Sequence, residues 1–302
     1  MVIILLVSTP GLTLAEAEQR RFSSPQQAVS DLVEAIANND DIELLSILGP
    51  TSEDIISSGD RIADRKSKAR FLKAYKEKNS FERENEGQMT LLIGSEDYPF
   101  PIPIVQQGDV WFFDTPAGIE EILNRRIGRN ELHTIEVMHA YVDAQREYAC
   151  MLRDNSIPTF ARELSSSKGK KDGLYWKTAE GDMESPFGPL VAMASPKGYA
   201  PGLDEDTPVP FRGYYFKILK AQGEHADGGA FDYVIDGKMI LGFALVAYPA
   251  KYGASGIMTF IVNQEDQVYE KDLGGETGTI AAEMTVFDPD DTWKKYRESV
   301  VP

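Results

Sequence analysis

The sequence predicts an α+β protein: helices followed by a curled antiparallel sheet, then a long helix packed on an antiparallel meander. Three observations carry that prediction. Apolar residues recur at helical spacing from Ala28 to Ile36, short strand-like runs fill Thr90 to Phe113, and Gly213 to Lys271 alternates between apolar runs and turn residues. The 302 residues carry 48 acidic and 31 basic side chains, a formal charge of −17. That length leaves room for two cores. A charge this negative opposes nucleic-acid binding, which rests on neutralising phosphates with Lys and Arg. The single cysteine, Cys150, excludes an internal disulfide and a cysteine-rich zinc site.

Val2 to Leu14 is an apolar run interrupted by Pro10, shorter than the about 20 residues a membrane-spanning helix needs. Residues 1–17 read as a secretory signal with a small-residue exit at Ala15 or Ala17, although no positive residue precedes Val2. No cysteine follows to carry a lipid. The expectation is an exported chain, periplasmic or extracellular, without a transmembrane span.

A first domain is expected over 23–128. Ser24-Pro25-Gln26-Gln27 opens a helix: Ser24 caps, Pro25 suits the first position, and Gln27 returns the capping-box bond. Ala28, Val29, Leu32, Val33 and Ile36 form its core face. Asn38-Asn39-Asp40 ends it, Ile42 to Leu48 makes a second helix stopped at Gly49, and Ala63 to Lys78 a third with Phe71, Leu72 and Tyr75 inward. Strands are expected at Thr90–Ile93, Ile102–Val105 and Val110–Phe113, the last two joined by a Gly108-Asp109 type II′ turn. Pro99, Pro101 and Pro103 push this region to a sheet edge. A helix from Pro116 to Ile127 closes the domain.

A second domain is expected over 130–287. Asn130 is placed as the cap of a helix running from Glu131 to Arg153, with Ile135, Met138, Val142, Ala149 and Leu152 in one stripe. Ser165 to Asp206 reads as a long irregular connection tacked down by Tyr175, Trp176 and Phe187. Strands follow at Gly213–Leu219, Phe231–Ile235, Leu241–Ala247, Ile257–Val262 and Val268–Lys271, with turns at Asp236-Gly237 and Asn263 to Asp266. Residues 288–302 are expected to be an acidic C-terminal tail.

The first domain resembles the cone-shaped fold of the nuclear-transport-factor-2-like superfamily, through its order of helices before a curled sheet. In the second, Ala144-Gln145-x-x-Tyr148, Gly213-Tyr214-Tyr215-Phe216, Phe243 to Pro249, Tyr252-Gly253 and Gly256 to Asn263 resemble the globular head of type IV pilins and type II pseudopilins. The pilin processing motif departs: Gly11-Leu12-Thr13-Leu14 follows the apolar run instead of preceding it, so filament incorporation is not implied. Over nearly the whole mature length the chain resembles the exported bacterial family of domain of unknown function 2950. The matching stretches are Phe22 to Pro25, Tyr98 to Pro103, Arg125 to Leu132, Tyr141 to Ala149, Asp172 to Trp176 and Gly213 to Asp272. That family implies no activity and no cofactor.

The cone resemblance implies a pocket of the kind in which enzymes place an Asp or His base. Asp97, Tyr98, Asp109 and Trp111 are the candidates near its strands, and both aspartates are expected in turns facing water. His133 and His139 stand six apart on one helix and cannot form a metal pair. Cys150 reads as an inert core thiol beside the apolar stripe. Asp204-Glu205-Asp206 and Asp288-Pro289-Asp290-Asp291 lack the Gly-bearing spacing of a calcium loop and read as solvated charge. At Arg153-Asp154-Asn155-Ser156 the family resemblance implies a more acidic turn, and this chain's departure from it weakens a calcium reading. Gly228-Gly229 and Gly274-Gly275 lack the context of a phosphate cradle. No catalytic, cofactor-binding or metal residue is therefore assigned, and no cofactor is expected. The expected function is a non-enzymatic exported envelope protein, a binding or assembly module for a protein or cell-surface partner. The alternative is a small-molecule enzyme using a pocket in the first domain.

Overall fold

The computed structural model describes residues 19–151, 157–178, 183–188 and 209–297. The signal at 1–17, Leu152, the Arg153 to Ser156 turn and Asp204-Glu205-Asp206 lie outside them. The chain is α+β and forms two compact units, one built from residues 19–56 and 71–119, the other from 57–70 and 120–297.

In the first unit Ser24 accepts the Gln27 N–H at 3.2 Å and opens helix α1 (Pro25–Asn38). Gln27 does not return the bond; its side-chain oxygen accepts from Ser23 instead. Asn39 ends the helix at φ 52°, and Asp40 caps α2 (Asp41–Leu48) through the Glu43 N–H. Ala28, Val29, Leu32, Leu44 and Ile47 are buried, so both helices turn an apolar face inward. A short 3₁₀ turn (Pro50–Ser52) and α3 (Glu53–Ile56) follow, with α4 at Arg61–Glu77.

The sheet of this unit is antiparallel and open, ordered β1 (Asn79–Asn85), β2 (Gln88–Ile93), β4 (Ile104–Gln107), β5 (Val110–Phe113), with β3 (Tyr98–Pro99) also paired to β2. The polar strand β1 carries no apolar alternation and is not foreseen by the sequence pattern. Proline 99 sits in the edge pair β3, but β4 lies inside the sheet between β2 and β5, which corrects its expected edge position. Gln107 pairs with Val110 across Gly108-Asp109, and Gly108 takes φ 63°, the left-handed value that a type II′ turn requires at its first position.

Helix α5 runs without a break from Thr115 to Met151. The two helices expected at Pro116–Ile127 and Glu131–Arg153 are therefore one, and the compact units divide inside it, between Ile119 and Glu120, rather than at 128–130. Residues 57–70 also group with the second unit. No proline falls between Ala117 and Met151, and a mid-helix glycine at 128 costs only about 1 kcal/mol. Asn130 caps nothing: its side chain donates to the Ser255 carbonyl at 2.8 Å. At the start of the helix, a β-carbon on Gly118 would fall 2.4 Å from the Pro101 carbonyl oxygen, so the close approach requires glycine.

The second unit centres on a five-stranded antiparallel sheet. Three small strand groups accompany it: β6 (Glu163–Ser165) parallel to β7 (Gly173–Tyr175), and, after β8 (Tyr214–Leu219), β9 (Ala221–Gln222) with β10 (Phe231–Asp232), and β11 (Val234–Ile235) with β12 (Lys238–Met239). Asp236 and Gly237 take φ 48° and 76° in the β11–β12 turn, as a type I′ hairpin demands. The main sheet continues with β13 (Ala244–Pro249), β14 (Met258–Asn263) and β15 (Tyr269–Asp272), then α6 (Thr277–Glu283), β16 (Val286–Phe287) and β17 (Lys294–Lys295). Its spatial order is β17-β15-β14-β13-β8.

Met138, Tyr141 and Val142 of α5 share one buried cluster with Phe243, Leu245, Phe260 and Ile261. The Tyr141 and Phe243 rings meet edge to face at 5.6 Å, and the Tyr141 hydroxyl donates to the Ala244 carbonyl. Residues from 288 onward are not a tail as far as Arg297: Tyr269 pairs with Lys295, Glu270 with Lys294, and the Tyr296 N–H bonds Val268.

Candidate binding groove

Strand β8 pairs with β13 on one side only and is the edge of the main sheet. In an antiparallel pair, alternate residues turn their N–H and C=O toward the neighbour and away from it. Tyr214 exchanges both backbone bonds with Phe211 rather than with its opposite residue Pro249, which has no N–H. Tyr214 therefore faces outward, and by alternation so do Phe216, Ile218 and Lys220. The Lys220 carbonyl confirms the phase by accepting from the Tyr233 N–H at 2.9 Å. Between these two closed ends, the N–H and C=O groups of Phe216 and Ile218 have no protein partner among the described residues.

Beside them lies a groove of about 350 Å³, lined by Phe216, Lys217, Ile218 and Lys220 together with Arg162, Glu163, Leu164, Met284 and Thr285. Leu164, Phe216, Ile218 and Met284 line it with half-buried apolar surface. Arg162, Lys217 and Lys220 supply three cations against the single acid Glu163, in a chain of net charge −17. Each cation is oriented. Arg162 donates to the Gly237 carbonyl at 2.9 Å, Lys220 stands 3.5 Å from Glu163, and Lys217 donates to the Ala282 carbonyl. Burial pushes the Lys217 ammonium below the usual lysine range.

The end of β8 is fixed by a polar clasp. Asp60, 1% exposed, accepts from the Ile62 and Ala63 N–H groups, capping α4, and its other oxygen accepts from the Gly213 N–H at 2.8 Å. Glu131 accepts from the Ile257 and Met258 N–H groups at 2.9 and 3.0 Å, and the Tyr214 hydroxyl reaches the same oxygen at 3.5 Å. Burial raises Tyr214's pKa, with the Glu131 charge adding to it. A β-carbon on Gly256 would lie 2.0 Å from the Tyr214 hydroxyl, which makes glycine obligatory there. Within the Arg125 to Leu132 stretch, Asn130 and Glu131 thus tie the helix to the segment leading into β14. Asp60 escaped the sequence reading, although Ser58-Gly59-Asp60 before Arg61 is a helix-start signal.

The sequence candidates do not gather. Asp97 sits in a turn at φ 52° and pairs with Lys78 at 2.6 Å, Tyr98 is exposed on β3, Asp109 occupies the hairpin turn, and Trp111 is half-buried on β5. The first unit's own cleft, also about 350 Å³, is polar, lined by Arg20, Asp31, Glu34 and Glu43, with Arg20 paired to Glu43. His133 meets Glu136 at 3.1 Å and His139 meets Asp266 at 2.7 Å. Cys150 is exposed, not a core thiol, because it lies one residue, hence about 100°, beyond Ala149 on the helix surface. Among the described residues, no group of three His, Cys, Asp or Glu side chains is placed to hold a metal ion. Asp290 accepts from the Thr292 N–H at 2.9 Å, and Asp288 accepts from both the backbone and the ring of His225.

That last pair makes a pH prediction. The hydrogen bond and charge of Asp288 hold the His225 imidazole above its ordinary pKa. A folded pKa above the unfolded one gives a contribution fully present below about pH 6.5 and lost as pH rises through the folded value. Ring proton shifts should show His225 titrating above the ordinary imidazole value of about 6.5, and Asp288→Asn should return it toward that value. An unmoved titration curve in that variant refutes the pairing.

Together these features define a class: a two-unit α+β protein whose second unit lays a helix across an antiparallel sheet with one open, basic-rimmed edge. The chain belongs to the family described as "Protein of unknown function (DUF2950)", whose model matches residues 19–296. No curated protein and no solved structure matches it, so the likeness to pilin heads gains no support from that side. No helix among the described residues is long and apolar enough to cross a membrane.

Proposed function

We propose that this is a non-enzymatic envelope protein, exported to the periplasm or the cell exterior, that binds a macromolecular partner there through its second unit. The observation that carries the reading is the groove beside β8, where open backbone groups, apolar lining and a cationic rim meet on an otherwise acidic chain. Backbone groups that can bond outward, next to apolar surface, are what recognition of another chain uses. The apolar run at Val2 to Leu14 supports export.

Fractionation of producing cells, with N-terminal sequencing and in-envelope crosslinking, tests the reading. Processed protein beginning after Ala15 or Ala17, crosslinked to a discrete partner, supports it. Cytoplasmic protein that keeps Met1, or a turnover activity that maps to the first unit, overturns it.

A further inference from the structure

We propose that the groove takes an extended acidic peptide, which adds as a strand to the free edge of β8; the inference rests on the binding-module reading above and names its partner class. The open stretch has a defined length. It is closed at one end by the Phe211–Tyr214 bonds and at the other by the Tyr233 N–H on the Lys220 carbonyl. Between them Phe216 and Ile218 offer two donors and two acceptors facing one way, enough to hold a short strand.

Arg162, Glu163 and Leu164, at the start of β6, line the groove together with β8. A strand added to the edge of β8 therefore has a backbone partner there and meets Arg162 to Leu164 through its side chains. Its side chains alternate between the two faces. One set falls on the Phe216, Ile218 and Lys220 side of β8 and the other on the Lys217 side, so a cation stands on each face. Three cations to one anion select carboxylates, and a basic peptide meets a repulsive rim. A mid-strand lysine such as Lys217 also keeps unselected strands off an exposed edge, so charge pairing decides which strand is admitted.

The test uses the full chain and a fluorescein-labelled seven-residue peptide of alternating valine and glutamate, read by fluorescence polarisation. Saturable binding is expected, weakened at least tenfold when lysine replaces the glutamates, and weakened by added salt. Methylating alternate backbone nitrogens of the peptide removes donors without touching the protein, and at least one of the two alternate sets should cost tenfold or more. Ile218→Pro should abolish binding, because it deletes an outward N–H without removing a bond to β13; Lys220→Glu provides a second variant that leaves the backbone intact. Equal affinity for the lysine peptide, or for both methylated peptides, overturns the inference. So does a concentration-dependent dimer that Ile218→Pro disperses, which would assign the edge to a second copy. If the peptide fails while envelope crosslinking still captures a partner, strand addition falls and the binding-module reading survives.

Discussion

Val142→Asp unfolds the second unit. Val142 is fully buried on the face of α5 that shares its cluster with Met138, Tyr141, Phe243 and Leu245. Burying a valine contributes about 1.5–3 kcal/mol, and the substitution forfeits that. It also places a carboxylate among the apolar side chains of that cluster. An unpaired buried charge puts the total loss above about 4 kcal/mol, a large part of a domain's net stability of about 5–15 kcal/mol. Urea unfolding followed by tyrosine and tryptophan fluorescence measures it. An unchanged midpoint would mean that α5 does not pack on the sheet through this face. Screened surface pairs such as Arg146 with Asp143, worth about 0–1 kcal/mol, cannot compensate.

The contrast between what the sequence showed and what it hid follows the range of the interactions. Helix α1 was legible because its cap, its proline and its apolar stripe all lie within fourteen consecutive residues. The turns at Gly108 and Asp236-Gly237 were legible because left-handed φ values restrict the residue type at the turn itself. The chain's β8 was legible as a strand from the alternation in Gly213 to Leu219. Its position at an edge was not, because strand order depends on partners far along the chain. Lys217 in mid-strand was the available hint, since lysine is a common edge marker.

The continuity of α5 was hidden for a related reason. Gly128 and Asn130 look like a stop and a start when read locally. The tie from Asn130 to Ser255 spans 125 positions, and those from Glu131 to Ile257 and Met258 span 126 and 127. Strand β1 was missed because Asn79 to Asn85 is mostly exposed and polar, held by its ladder with β2 rather than by a buried face. The His225–Asp288 pair was likewise invisible: both residues were noted, but their separation of 63 positions gave no reason to join them. In the run Asp288 to Asp291, read as solvated, Asp288 accepts from the His225 N–H and Asp290 from the Thr292 N–H and hydroxyl.

Gln145 carries the second large expectation, and for one of its variants the size of the effect changes with pH. The residue is fully buried on α5 and clasps one peptide unit pair from both sides. Its side-chain oxygen accepts the Ala161 N–H at 2.8 Å, while its nitrogen donates to the Ala161 carbonyl at 2.9 Å and to the Tyr141 hydroxyl at 3.0 Å. Gln145→Ala strips both Ala161 groups of their partner inside the core. At about 1–3 kcal/mol for each of the two orphaned groups, the loss comes to about 2–6 kcal/mol. Gln145→Glu keeps the size and the acceptor but replaces the donor with a second acceptor, opposite the Ala161 carbonyl. Burial raises that glutamate's pKa above its unfolded value of about 4.3, and the protonated form regains one donor. A carboxyl with a raised folded pKa is best tolerated below the unfolded pKa, and its tolerance is lost as pH rises through the folded pKa. Urea midpoints of parent and Gln145→Glu should therefore converge as pH is lowered from 7 toward 4, while Gln145→Ala stays displaced at every pH. A glutamate variant whose deficit is independent of pH would show that the side chain had turned out of the core, and that the clasp on Ala161 does not hold β6 and the groove wall in place.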